Sequence, residues 1–162
     1  QSHDRCSVVE VMGRNAGYIA LNTGIAVGAS YILVPEIKPD IDAVIEKIEK
    51  SRALGKKHFI VVVAEGIGHA KEIAQEIEAK TGIESRETVL GHVQRGGNPT
   101  VTDRVVASQM GYHAVELLQQ GIGNRVVAQR DNKIVDFDIQ EALKMKKELP
   151  MDLYKIAHDI SF

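Results

Sequence analysis

The chain has 162 residues, enough for one hydrophobic core, and a formal net charge of −2. A nearly neutral chain offers no strongly basic surface for nucleic acid or for an anionic membrane. Trp is absent, Phe and Tyr are few, and no apolar run approaches the ~18 residues of a membrane span, so we expect neither a nucleic-acid nor a membrane partner.

Strands and helices alternate along the first ninety residues. β-Branched and apolar runs predict strands, and apolar residues at helical spacing predict helices. The predicted strands are 7–12, 31–35, 59–64 and 85–90. The predicted helices are 17–27, a helix capped by Asp40 that ends near Leu54, and 70–81.

The second half of the chain begins with a long helix, predicted from about Val101 to Gln120. Two short strands, 126–128 and 134–137, follow with a turn between them, and then come helices 139–149 and 151–160. Strands that alternate with helices indicate βαβ units. The expected fold is therefore a single α/β domain over residues 1–162, three-layered and doubly wound, with a mostly parallel sheet and helices on both faces.

The only cysteine, Cys6, excludes an internal disulfide. We expect it to be a small residue near the core, and a lone thiol fits a reducing, cytoplasmic location. The sequence contains no metal-ligand spacing such as His-Glu-x-x-His or Cys-x-x-Cys, so no metal site is predicted.

Polar side chains follow three of the predicted strands. Arg14 follows the first, Glu65 the third, and His92, Gln94 and Arg95 the fourth. Because the carboxyl ends of parallel strands lie along one edge of a sheet, we expect these side chains to meet there. Arginine binds phosphate through a planar fork, and a carboxylate accepts hydrogen bonds from sugar hydroxyls. The combination predicts a sugar-phosphate site.

Each of these residues also has an ordinary structural interpretation. The segment around His92 and Arg95 could be a turn whose side chains bond backbone carbonyls. Glu65 could form an ion pair with an arginine. Arg14 could be a surface residue at a helix start, although a cation opposes the helix dipole there. On composition and spacing alone, Arg5 and Arg86 are ordinary solvated charges.

Three motifs carry a family resemblance. They are Val-Val-Glu-Val-Met-Gly-Arg-Asn-Ala-Gly at 8–17, Val-Ala-Glu-Gly at 63–66, and Thr-Val-Leu-Gly-His-Val-Gln-Arg-Gly-Gly at 88–97. In order and spacing they resemble bacterial ATP-dependent 6-phosphofructokinase, and the chain matches the C-terminal half of that enzyme over essentially its whole length. The resemblance implies a glycolytic kinase, a transferase that moves the γ-phosphoryl group of ATP to the 1-hydroxyl of fructose 6-phosphate, giving fructose 1,6-bisphosphate.

The resemblance also implies roles for particular residues. Arg14 would contact the sugar and stabilise charge on the transferring phosphoryl group, Glu65 would bind sugar hydroxyls, and Arg5 and Arg86 would reach into the site of a neighbouring subunit of a homotetramer. The implied fructose 6-phosphate contacts are Arg5, Met12, Gly13, Arg14, Glu65, Arg86, His92, Val93, Gln94 and Arg95, with His92 and Arg95 toward the 6-phosphate.

Several parts of such an enzyme are missing from the sequence. The family's nucleotide-binding glycines, its magnesium-binding aspartate and its catalytic base belong to the N-terminal half. Mg2+ and ATP would therefore be bound mainly outside this chain. The chain also opens Gln1-Ser2-His3 without Met. We expect it to be a piece of something longer and to be inactive alone.

An allosteric effector site is implied as well. It would use Gly28, Ala29, Ser30, Leu54, Lys56, Lys57 and His58. Family members typically have an acidic residue at the position of Ser30 and commonly a basic one at that of Leu54. These departures predict weak binding of ADP and phosphoenolpyruvate, and a weakly regulated enzyme.

Two other functions remain open from the sequence. A pyrophosphate-dependent phosphofructokinase shares the sugar-side motifs, and its donor is selected by residues of the other half. A non-catalytic sugar-phosphate-binding module would keep the pocket without the chemistry.

Overall fold

The computed structural model describes residues 4–161, which divide into two compact units. The first unit comprises the described residues up to Gly96 together with those from Leu149 onward, and the second comprises Gly97–Glu148. The sequence predicts one domain over residues 1–162. Whether the two units fold as one stays a prediction.

A four-stranded parallel sheet forms the centre of the first unit. Its strands are β1 (Arg5–Val11), β2 (Tyr31–Leu33), β3 (His58–Ala64) and β4 (Glu84–Val89), in the order β2-β3-β1-β4. In register, Arg5 pairs with both His58 and Glu84. The first strand therefore lies between two strands that come much later in the chain.

Helices cover both faces of this sheet. They are α1 (Tyr18–Ala26), α2 (Ile41–Ala53), α3 (Ala70–Thr81) and α6 (Met151–Ile160), all of the first unit. The helices α4 (Val101–Gln119) and α5 (Ile139–Ala142) belong to the second unit. One core cluster joins α2 and α3 to the sheet, with Val44, Ile77 and Phe59 buried in it. The other joins α1 and α6 to the opposite face, around Leu21 and Ala157. The predicted three-layer, doubly wound arrangement is confirmed.

The second unit contains α4, α5 and an antiparallel hairpin of β5 (Arg125–Arg130) and β6 (Lys133–Asp138). The turn residues Asp131 and Asn132 both have positive φ, as a two-residue type I′ turn requires. The predicted pair of strands is confirmed, with longer strands than expected. No helix among residues 4–161 is both long and apolar enough to span a membrane.

The predicted helix 139–149 is wrong, because α5 ends at Ala142. Asp138 does cap it, accepting a hydrogen bond from the Gln140 amide at 2.8 Å. A short helix needs an apolar face to bury, and beyond Ala142 there is little to bury, since Leu143 is 75% exposed. The Asp138 cap therefore starts a helix, but packing does not stabilise further turns of it.

The thiol of Cys6 lies in the core at 1% exposure. Burial raises its pKa to about 11, an effect only partly offset by a hydrogen bond with Ser85. A thiol that stays protonated at neutral pH is a poor nucleophile. The prediction of a near-core residue is confirmed.

His158 anchors α6 against the sheet. Its ring centre lies 4.4 Å from the rings of both Tyr31 and Tyr154, and the ammonium of Lys47 donates to its backbone carbonyl. Within residues 4–161 the buried Nε2 atom of His158 has no hydrogen-bond partner. Burial, helped by the charge of Lys47, lowers the pKa of His158, against weaker opposing effects of a hydrogen bond with the Ile32 backbone and of the charge of Asp159.

Protonation of His158 is expected to destabilise the first unit. The unfolded chain takes up a proton near the ordinary histidine pKa of ~6.5, whereas the folded chain does so only at lower pH. The stabilising contribution is thus complete above that pH and is lost as the pH falls toward the folded-state pKa. Urea unfolding between pH 7.5 and 5 measures it. His158→Phe keeps a ring but cannot titrate, so its stability should fall less on acidification. An equal fall in both proteins would contradict the prediction.

Candidate functional site

The carboxyl ends of β1, β3 and β4 are joined by hydrogen bonds just beyond the sheet. The Glu65 amide donates to the Val11 carbonyl at 2.8 Å, and the Leu90 amide donates to the Glu10 carbonyl at 3.1 Å. The loops that follow these strands therefore leave the sheet side by side. These are the loops on which the sequence places Arg14, Glu65 and the segment His92–Arg95.

Two glycines shape the first two loops, Gly13 by allowing a tight turn within the first loop and Gly66 by allowing the second loop to contact the first. Gly13 has φ 140°, and a Cβ at this position would lie 2.4 Å from the Ala16 carbonyl oxygen. A Cβ on Gly66 would lie 1.9 Å from the carbonyl oxygen of Arg14. The loop that carries Arg14 thus rests directly on the backbone of Gly66. Gly66 is not among the predicted site residues, and its only local signal is its place just after β3.

The third loop is a 3₁₀ helix, Gly91–Arg95, where the sequence predicts only a glycine-rich turn. Gln94 ties this helix to the end of β1, because its Oε1 accepts a hydrogen bond from the Met12 amide at 3.1 Å. Its Nε2 donates to the Gly91 carbonyl at 2.9 Å.

The charged side chains of the site are unpaired. Within residues 4–161, the structure records no ion pair or hydrogen bond for the side chains of Arg14, Glu65, His92 or Arg95. The two arginines and His92 are exposed, and Glu65 is half-buried. Within the described residues, Glu65 does not pair with an arginine, and His92 and Arg95 do not bond backbone carbonyls. These two structural alternatives are therefore wrong. This edge of the sheet therefore offers hydrogen-bond donors for an anion next to the unpaired carboxylate of Glu65.

Arg14 does not lie at a helix start. α1 begins at Tyr18, and the Gly17 amide donates to both carboxylate oxygens of Glu36, at 2.8 and 3.1 Å. That carboxylate occupies the helix N-terminus, where an anion would otherwise be favoured. Sequence reasoning missed Glu36, whose only signal is its place shortly after β2. An anion at this site would be bound by side chains and loop amides.

Arg5 lies at the other end of the sheet, and Arg86 lies midway along β4, where it pairs with Ser7. Arg5 is the first residue of β1, so about 20 Å of strand separates it from Val11 at ~3.3 Å per residue. Both arginines pair with Glu84, Arg5 Nε at 3.7 Å and Arg86 Nη2 at 2.6 Å. Within this chain they do not join Arg14 and Glu65. Their implied reach into a neighbouring subunit stays a prediction.

The implied effector residues are only partly brought together. Gly28, Ala29 and Lys56 line a cavity of about 220 Å³. Its other wall includes three residues from α6 and its end that the sequence analysis did not consider, Ala157, Ile160 and Ser161. Of the remaining implied residues, Leu54, Lys57 and His58 are exposed and, like the buried Ser30, do not line the cavity.

Comparison with known proteins identifies the family. The phosphofructokinase family model matches residues 1–118, and the chain belongs to this family. It is 51% identical over 160 residues to the ATP-dependent 6-phosphofructokinase of Bacillus cytotoxicus, and 52% identical over 161 residues to that of Clostridium tetani. Each alignment covers 99% of this chain and 50% of the relative. The chain therefore spans about half the length of the curated relatives it matches.

Solved structures agree with this assignment. The phosphofructokinase of Saccharomyces cerevisiae superposes with a TM-score of 0.82 at 31% identity, over 99% of this chain and 23% of the yeast chain. A pyrophosphate-dependent phosphofructokinase from Marinobacter aquaeolei gives a TM-score of 0.80 at 25% identity, over 93% of this chain and 43% of its own.

Proposed function

We propose that the chain is the fructose 6-phosphate-binding half of an ATP-dependent 6-phosphofructokinase. The observation that carries the proposal is the sheet edge where unpaired Arg14, Glu65, His92 and Arg95 lie on hydrogen-bonded loops. A phosphate dianion and a ring of hydroxyls need this combination of free donors and one free carboxylate.

The proposed roles are those that the family resemblance implies, and the chemistry of each side chain suits them. Arg95 and His92 bind the 6-phosphate, and Glu65 accepts hydrogen bonds from sugar hydroxyls. Arg14 carries a charge that stabilises the phosphoryl group in transfer, where negative charge spreads over the equatorial oxygens. Met12, Gly13 and Val93 complete the wall between these side chains.

The donor side of the reaction is assigned to the other half of the protein. Among residues 4–161 there is no cluster of three or more His, Cys, Asp or Glu side chains that could hold a metal ion. Following the family resemblance, we assign Mg2+ and ATP binding, and the base that activates the 1-hydroxyl, to residues outside this chain. The chain alone is expected to give no fructose 1,6-bisphosphate in a coupled assay with Mg-ATP. Turnover that tracks its concentration would contradict this.

ATP is favoured over pyrophosphate as the donor by similarity. The ATP-dependent relatives are about twice as identical to the chain as the pyrophosphate-dependent structure, 51% against 25%. Following the family resemblance, we extend the proposal to a cytoplasmic glycolytic enzyme that acts as a homotetramer in which Arg5 and Arg86 complete a neighbour's site.

Calorimetry with fructose 6-phosphate tests the proposed site. Arg95→Ala should weaken binding about 10- to 100-fold, since a charged hydrogen bond contributes roughly 1.5–3 kcal/mol. Arg130→Ala is the matched control, because Arg130 stacks on Phe137 in the second unit and loses the same charge. Sedimentation run alongside shows whether binding requires the oligomer. Equal affinities for the wild type and Arg95→Ala, or no binding by an oligomeric sample, would refute the proposal.

Weak allosteric regulation is expected of the full-length enzyme. Leu54 is 81% exposed and has no charge to hold an effector phosphate, and Ser30 is 1% exposed with no carboxylate to help hold a magnesium–nucleotide complex. Phosphoenolpyruvate at sub-millimolar concentration should leave the saturation curve for fructose 6-phosphate nearly unchanged. Leu54→Arg should make the enzyme more sensitive. Strong inhibition of the unmodified enzyme would show that other residues bind the effector.

A further inference from the structure

Gln94 uses both ends of its side-chain amide within the protein. Its Oε1 atom lies 3.1 Å from the Met12 amide, 82 residues earlier in the chain. Its Nε2 atom lies 2.9 Å from the Gly91 carbonyl. A backbone N–H can only donate and a carbonyl can only accept, so these two partners fix which end of the amide is which. Gln94 therefore has one defined orientation before any ligand binds.

These two bonds connect the segments that carry the proposed phosphate-binding groups. Met12 follows the last residue of β1 and leads into Gly13 and Arg14, while Gly91 opens the 3₁₀ helix that ends at Arg95. The hydrogen bond from the Leu90 amide to the Glu10 carbonyl joins the ends of β4 and β1. The side chain of Gln94 adds a second connection, further along the chain from both strands.

We infer that Gln94 is a positioning residue, which holds Arg14 and Arg95 at a fixed separation across the sheet edge without itself binding the sugar phosphate. The inference rests on the proposed function and departs from the role in direct contact that the family resemblance implies. Its physical basis is that a misplacement of about 1 Å between binding groups can cost on the order of 100-fold in their effect.

The surroundings of Gln94 favour this role. The residue is half-buried at the rim of an apolar groove of about 520 Å³, which is also lined by Val11 and Leu90. Neither of these two side chains has a polar atom that could replace the Gln94 oxygen for the Met12 amide, and the hydroxyl of Thr23, which also lines the groove, is bonded to the Ile19 carbonyl at 2.6 Å. Losing the amide would leave Met12 without its side-chain partner and free the 3₁₀ helix to shift.

The first test needs no ligand. In the free chain, Gln94→Met removes both bonds at nearly constant volume and should raise hydrogen exchange at the Met12 amide at least tenfold. Gln94→Glu keeps the acceptor and should leave that exchange close to wild type. Gln75→Met, on the exposed face of α3, is the matched control and should change nothing at Met12. Unchanged Met12 exchange in Gln94→Met would overturn the inference.

The second test separates positioning from direct contact. If Gln94 acts through Arg95, then Gln94→Met should weaken fructose 6-phosphate binding about 10- to 100-fold in the wild type and much less in an Arg95→Ala background. If Gln94 binds the sugar phosphate itself, the two losses multiply, and that result would overturn the inference. Should an oligomeric sample of the wild-type chain bind no fructose 6-phosphate, the proposed function fails, while the exchange experiment still decides whether Gln94 holds the loops.

Discussion

Gly66→Ala is expected to weaken fructose 6-phosphate binding strongly. The added Cβ would lie 1.9 Å from the oxygen and 2.7 Å from the carbon of the Arg14 carbonyl. Both atoms are backbone, so no rotamer change relieves the overlap, and the loop must move with Arg14. The shift also strains the 3.2 Å hydrogen bond from the Gly66 amide to the Gly13 carbonyl. We expect affinity to fall on the order of 100-fold or more, and stability to fall by about 1–3 kcal/mol.

A glycine elsewhere supplies the control. A Cβ on Gly111, inside α4, would meet nothing within 4 Å. Gly111→Ala should therefore leave binding unchanged and stabilise the helix by about 0.5–1 kcal/mol, since alanine loses less backbone freedom. Calorimetry and thermal melting of the two variants make the comparison. If Gly66→Ala binds within tenfold of the wild type, the two loops are not packed as described.

Phe59→Ala is expected to have the largest effect on stability. Among the described residues, Phe59 has the largest fully buried side chain, at 1% exposure on β3 between the sheet and the helices α2 and α3. Truncating a buried phenylalanine costs about 3–5 kcal/mol, a large part of the ~5–15 kcal/mol that holds an ordinary domain together. Hydrogen exchange of the β1 and β3 amides should accelerate about 100-fold or more, because each 1.4 kcal/mol corresponds to tenfold.

An exposed aromatic residue is the matched control for Phe59. Tyr112 lies on α4 with 67% of its surface exposed. Tyr112→Ala should change stability by less than ~0.5 kcal/mol and leave exchange in the sheet as it was. Slow exchange in β3 of the Phe59→Ala protein would mean that the core cluster does not depend on this ring.

Local patterns predicted the sheet and the placement of the site. The continuous apolar run of β3 indicated a strand buried on both faces, and the structure buries nearly all of it. Once the sheet is parallel, the loops after β1, β3 and β4 must emerge at one edge. That geometric rule located Arg14, Glu65 and Arg95 without knowledge of any contact between them.

Contacts between distant residues were beyond such patterns. No spacing rule links Gln94 with Met12, or Glu36 with Gly17, because each pair meets only after the sheet has formed. The wrong helix after Asp138 has the opposite cause. Its cap residue is a local signal, and it starts the helix as predicted. A helix extends further only where the fold buries its apolar face, and local sequence does not determine that burial.

The central place of β1 has a consequence for how the chain folds. Arg5 pairs with both His58 and Glu84, so β1 can pair with β3 and with β4 only when long loops have closed. Such non-local pairing makes folding slow, and at a synthesis rate of ~5–20 residues per second β1 waits for seconds on the ribosome without its partners. The loops that form the site converge only when β4 has docked. Recovery of sugar-phosphate binding should therefore be the last event of refolding, later than helix formation. Between these two events the strand edges are exposed and can bind chaperones or aggregate.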